Sequence, residues 1–305
     1  MSSQLSHPKY RPDIDGLRAV AVLAVVIFHA FPSLLKGGFI GVDVFFVISG
    51  YLISTIIFEN LDRRTFSFTE FYIRRIKRIF PALVLVLIVS LTFGWFTLLD
   101  DEYRQLGLHT ATGAGFISNF VLWNESGYFD NASDTKPLLH LWSLGIEEQF
   151  YIVWPLLLWL TWKFKFNLVA ITIFIATVSF MLNVKGIKSD IVATFYSPQT
   201  RFWELLTGSL LAWVTLFKRN ILTGSFLASI PHLKTQNTDG ENLPNFLSFT
   251  GLLLLVFGFW RINNGASFPG YWALVPVLGA TLIISAGSKA WCNHKVLSNN
   301  VAVWF

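Results

Sequence analysis

The sequence predicts an all-α, polytopic membrane protein, a bundle of about eight spanning helices with the start of a ninth. Three observations predict it. Hydrophobic residues make up 53% of the 305 while charged residues are 13%, about half the charge of a soluble chain. Mean hydropathy is +0.55. Apolar runs of about 20 residues recur along the chain, each long enough to cross a bilayer as a helix, which satisfies its backbone polar groups within the segment.

Taken in order, spans are expected at about 16–34, 38–58, 79–99, 138–162, 167–184, 201–217, 246–262 and 271–287. The first resembles a secretory signal, with Lys9 and Arg11 ahead of an apolar core. No small-x-small cleavage site closes it and a second apolar run follows at once, so it is expected to be retained. A ninth span is expected to begin at Val301, with later spans beyond Phe305, so that residues 1–305 form one transmembrane domain that is incomplete at its C-terminal side. Leu106–Trp123 is apolar enough to cross but holds His109, Asn119 and the glycines 107, 113 and 115. A re-entrant or surface-lying segment is expected there, buried against protein or lining a cavity. Residues 225–245, with Pro231, Asp239, Gly240 and Pro244, read as a loop.

Charge sets the orientation. With the N-terminus in the cytoplasm, fifteen Lys and Arg fall inside and seven outside, leaving Arg18 at a span end, as the positive-inside rule requires. Counting Leu106–Trp123 as a crossing reduces this to thirteen against nine. The net charge of +5 is therefore a topology signal, and no nucleic-acid partner is expected; the bilayer itself is the partner. The single Cys292 leaves no internal disulfide, and no zinc or other metal site is implied. Two sequons, at Asn124 and Asn131, are assigned no role.

Titratable residues inside spans are costly and mark function. Arg18 and His29 are eleven apart, three helical turns plus about 20°, so they share a face about 16 Å apart along the axis. One basic group then lies near the membrane surface and one imidazole near its middle. In Pro137–Tyr151, Pro137 suits the first helical turn, and His140 and Glu147, seven apart, fall within about 20° of one face. Glu148 points about 100° away, so the two carboxylates are not expected to act alike. A Glu147 facing a histidine would relay a proton. Arg74, Arg75 and Arg78 form a cationic cluster suited to phosphate, or to lipid headgroups. Asp43 is expected to pair with His29 or an acceptor hydroxyl, while Gly41, Ser49 and Gly50 permit close helix approach.

These strings resemble the acyltransferase-3 family of integral membrane proteins that O-acetylate bacterial surface carbohydrates. Arg18 through His29 is similar to its arginine, ten residues, histidine signature. Phe39–Asp43 with Ser49–Leu52 resembles its second-span motifs, Arg74-Arg75-x-x-Arg78-x-x-Pro81 its cytoplasmic arginine motif, and Trp142–Leu144 with Glu147–Tyr151 its most recognisable string. The wording around Lys136–Tyr151 is closest to members that also carry an extracytoplasmic SGNH-type domain. The resemblance implies a bacterial inner-membrane enzyme that transfers acetyl from cytoplasmic acetyl-CoA to a cell-envelope glycan: lipopolysaccharide O-antigen, peptidoglycan or exopolysaccharide. On it His29 and Glu147 are catalytic, Arg74, Arg75 and Arg78 hold the acetyl-CoA phosphates, and Arg18, Asp43, His140 and Glu148 bind substrate. The rival reading of the residues is a proton-coupled transporter of a small anionic or acyl-bearing solute.

Overall fold

The computed structural model describes residues 10–125, 136–218, 239–263 and 265–304. Among the described residues there are helices and no strands. In order they are α1 (Pro12–Ala30), α2 (Gly41–Asp62), α3 (Phe68–Thr97), α4 (Asp100–Ala114), α5 (Ser118–Glu125) and α6 (Leu141–Lys163). There follow α7 (Leu168–Ser189), α8 (Ile191–Tyr196), α9 (Pro198–Phe217), α10 (Asp239–Arg261), α11 (Leu274–Ala286) and α12 (Asn300–Trp304).

Helix lies at each of the eight expected spans, with shifted ends. α1 starts at Pro12, a residue suited to the first turn, and stops at Ala30 rather than residue 34 because Pro32 disfavours helix at the residue before it. α3 begins eleven residues before the expected position, capped by the Ser67 hydroxyl, which accepts from the Glu70 N–H at 3.4 Å. Glu70, the three arginines and Lys77 form helix readily but are too polar for an apolar run, so the helix starts well before its hydrophobic stretch does. α10 likewise begins inside the expected 225–245 loop; residues 219–238 lie outside the described residues. The sequon at Asn131 also lies outside them.

Among the described residues four helical stretches are long and apolar enough to cross a membrane: Gly38–Asp62, Phe68–Thr97, Leu168–Ser189 and Asn242–Arg261. Gly270–Ala286 is apolar but shorter. α1, α6 and α9 carry Asp13, Asp15 and Arg18, then Glu147 and Glu148, then Arg201 and Glu204 within the helix. Leu106–Trp123 is not one helix. It breaks at 115–117 between α4 and α5, where Phe116 takes a φ of +56°.

α2 is the axis of the molecule. Its apolar window is 72% buried, against 17% for α3 and α7, and it packs against α1, α6, α9 and α11. Two glycines allow its closest crossing. A Cβ on Gly50 would stand 1.8 Å from the Leu205 carbonyl oxygen, and one on Gly208 would stand 2.1 Å from that of Val47. Trp154 of α6 locks the other side, donating its indole N–H to Ser54 Oγ at 2.9 Å and stacking on Phe150 at 5.4 Å. A buried polar knot joins the start of α1 to the segment between α11 and α12. Arg11 grips Asp13 through two bonds of 2.8 and 2.6 Å, and Asn293 Nδ2 donates to Asp13 at 3.0 Å.

Candidate active site between α1, α2, α3 and α6

Four helices enclose a cavity of about 360 Å3, within the range of small-molecule sites. α1 contributes Arg18, α2 Ser49, α3 Arg75 and Arg78, and α6 Glu147, Glu148 and Tyr151. The walls are otherwise apolar, with Phe45, Leu52, Ile53 and Ile56 from the axial helix.

Glu147 is the best-held polar group here. Ser49 donates to its Oε2 at 2.6 Å and Tyr151, one turn further along α6, donates to the same oxygen at 2.7 Å. Two hydroxyl donors on one oxygen are the arrangement that suits an ionised carboxylate. Arg75 lies over the Tyr151 ring, 4.0 Å from its centroid, with its Nη2 3.7 Å from Glu148 Oε1. The two adjacent carboxylates thus share the cavity with different partners, Glu147 taking hydroxyls and Glu148 a guanidinium. Arg18 pairs with Asp15 at 3.2 Å. Among the described residues Arg78 pairs with no carboxylate, so its guanidinium is free to meet an anion in the cavity.

At the other end of α1 stands His29, in the last turn and exposed. Its Nδ1 is 2.9 Å from the Val25 carbonyl oxygen. A carbonyl only accepts, so Nδ1 carries the hydrogen and Nε2 presents a lone pair. Phe28 braces the ring edge-on at 5.1 Å. His140 stands at the N-cap position of α6, at the same end of the bundle as His29. Rising along α1 from Arg18 to His29 therefore matches rising along α6 from Glu147 to His140, with the two helices running in opposite senses.

Three expected placements need correcting. Arg74 does not line the cavity and pairs with Glu70, one turn earlier on α3, because residues 74, 75 and 78 span more than one face of a helix. Asp43 meets neither His29 nor the cavity. It is fully buried, 3.1 Å from Arg201 of α9, since α2 turns that position toward α9 rather than α1. Glu147 faces hydroxyls rather than a histidine. Sequence reasoning assigned Ser49 to packing and gave Tyr151 no role. The four-residue spacing of Glu147 and Tyr151, which places them together on a helix, was the signal for the latter. It missed Arg201 and Glu204 as a unit, although an opposite-charge pair three apart inside an apolar run is such a signal.

The helical bundle brings three arginines and a carboxylate held by two hydroxyls to one cavity, with an imidazole at the other end of α1. The chain belongs to the acyltransferase-3 family: its acyltransferase domain matches residues 11–303. Over 274 residues the chain is 38% identical to the putative peptidoglycan O-acetyltransferase YrhL of Bacillus subtilis, covering 84% of this chain and 40% of that protein. It is 40% identical over 221 residues to the peptidoglycan O-acetyltransferase OatA of Listeria monocytogenes, covering 69% of this chain and 35% of that one. A putative O-acetyltransferase of Staphylococcus aureus is 32% identical over 310 residues, covering 97% and 48%. The chain thus spans less than half the length of these relatives. No solved structure matches it.

Proposed function

We propose that the chain is the membrane part of an O-acyltransferase that moves an acetyl group from cytoplasmic acetyl-CoA to hydroxyls of an extracytoplasmic glycan of the peptidoglycan type. The observation that carries this reading is the convergence of Arg18, Arg75 and Arg78 from two helices on one cavity. The free Nε2 of His29 stands on the same helix as Arg18, about 16 Å further along. Guanidinium forks suit the phosphates of the donor, and a thin thioester arm is the shape that bridges such a separation between helices. In this reading the N-terminus and the arginine end face the cytoplasm of the bacterial inner membrane, and eight or more helices cross it. The printed names of the relatives support a peptidoglycan acceptor, and arginines that suit phosphate support a phosphate-bearing donor such as acetyl-CoA.

Two routes are open at His29. In one, Nε2 attacks the thioester carbonyl, the C–S bond breaks and CoA leaves as the thiolate; the acceptor hydroxyl then attacks the acetyl-imidazolium, the C–N bond breaks to free the imidazole, and the hydroxyl proton ends on the thiolate. In the other, Nε2 takes the hydroxyl proton as that oxygen attacks the thioester directly, and the proton passes to the thiolate. Glu147, fixed by Ser49 and Tyr151, stands beside the donor path. The full-length protein, expressed in a strain lacking envelope O-acetylation, is expected to add acetyl mass to its glycan. His29→Gln is expected to lower this at least about 100-fold, the scale of a lost acid–base or nucleophilic group, with protein level unchanged because the side chain is exposed. Labelled acetyl retained on wild type without acceptor, and absent from the variant, selects the first route. Membership of an acyltransferase family weighs for transfer over transport; proton-gradient-driven solute uptake without CoA release would sink the reading.

A further inference from the structure

Asp43, Arg201 and Glu204 form a buried ionic cluster outside the cavity, and nothing in the transfer chemistry above uses it. Arg201 and Glu204 have no exposed surface and neither does Asp43. Arg201 Nη2 is 3.1 Å from Asp43 Oδ1 and its Nη1 is 3.0 Å from Glu204 Oε1. Four rings close around the guanidinium, Phe46, Trp142, Phe195 and Phe268, with centroids 5.5 to 5.9 Å from its Cζ. One proton balances the charge: two fully buried acids against one guanidinium leave a surplus negative charge that a dry, aromatic-walled site strongly disfavours.

We infer that Arg201 and a single proton shared by Asp43 and Glu204 make a neutral hub that positions Ser49 against Glu147. The hub touches all the elements concerned. Asp43 is six residues before Ser49 on α2, and Trp142, packed on the guanidinium, is five residues before Glu147 on α6. Those are distances of about 9 and 7.5 Å along rigid helices. Arg201 and Glu204 anchor the pair to α9, which crosses α2 at Gly50, the residue after Ser49. Arg201 is a positioning residue: it does not line the cavity between α1, α2, α3 and α6, and it fixes where two cavity residues stand.

The inference rests on the proposed transfer reading only for its activity arm. In the full-length protein in detergent, the infrared carbonyl stretch of a protonated carboxyl is expected to weaken in Glu204→Gln relative to wild type, because the remaining Asp43 then ionises against Arg201. Glu204→Gln is expected to keep the thermal midpoint and acetyl transfer within about threefold of wild type, an amide replacing an acid that carries the hydrogen. D43N/E204Q leaves the guanidinium buried and unpaired, and is expected to lose the folded protein. D43N/R201M/E204Q removes every charge and is expected to restore the midpoint while transfer stays at least about tenfold down through kcat, with the KM for acetyl-CoA little changed. An unchanged infrared band, or Glu204→Gln as damaging as the double variant, overturns the shared proton. A triple variant with full activity overturns the positioning role. Wild type without transfer activity would fail the proposed function and leave the infrared and midpoint arms to decide the hub.

Discussion

Ser49 shows how much a single small side chain carries here. Its hydroxyl and that of Tyr151 both donate to one oxygen of Glu147, and a hydrogen bond to a charged group contributes about 1.5–3 kcal/mol. Ser49→Ala is therefore expected to lower stability by about that amount in a detergent melt and to reduce transfer, whereas Ser49→Thr, keeping the donor, recovers part of both. Arg78 is the cavity's uncommitted cation. Arg78→Ala is expected to raise the KM for acetyl-CoA by about tenfold or more with a smaller change in kcat, the signature of a lost contact to a donor phosphate made equally in ground and transition states. A kcat loss with unchanged KM would contradict that role.

Helices are placed by backbone approach as much as by side chains. The α2–α9 crossing leaves no room for a Cβ at Gly50, whose nearest neighbour is backbone that has no rotamer to give. Gly50→Leu is expected to cost about 3 kcal/mol or more, read as a lowered melting midpoint and reduced membrane-inserted protein, even though Gly50 bears no chemistry. The same crossing brings Ser49 into the cavity wall, so an intermediate Gly50→Ala protein that still inserts is expected to lose transfer before it loses fold.

At the scale of the whole molecule, a clasp joins α4, α5 and the approach to α6. His109 Nε2–H donates to Glu125 Oε2 at 2.8 Å, and Lys136 Nζ donates to the same oxygen at 2.9 Å. Burial pushes the Glu125 carboxyl up, but hydrogen bonds and charge from Lys136 and His109 outweigh it and hold it below the usual carboxylate range. A carboxyl depressed in the folded state stabilises above its unfolded value, near pH 4.5, and loses that contribution as pH falls through the lower folded value. Midpoint against pH is expected to decline below about pH 4.5 in wild type and to decline less steeply in Glu125→Gln, which starts from a lower plateau. Parallel curves would remove Glu125 from the acid limb. Because Lys136 leads into Pro137 and His140, the clasp also sets where His140 stands.

The sequence by itself determined the helical class, the presence of a helix at each expected span, the family and several of the polar residues that line the cavity. It could do so because apolar period and length are local properties, and because a charge inside an apolar run is visible without any neighbour. Arg18 with His29, and His140 with Glu147, were legible as shared faces since both members sit on one helix. Only the tertiary structure decided which faces meet. Asp43 went to Arg201 rather than His29, Arg74 left the arginine group for Glu70, and Ser49 became a donor to Glu147. Those pairings join residues up to 158 apart, and their choice depends on the rotation of α2 against its neighbours. That rotation is fixed by the close contacts at Gly50 and Gly208, a matter of steric fit between helices that no single segment's pattern contains.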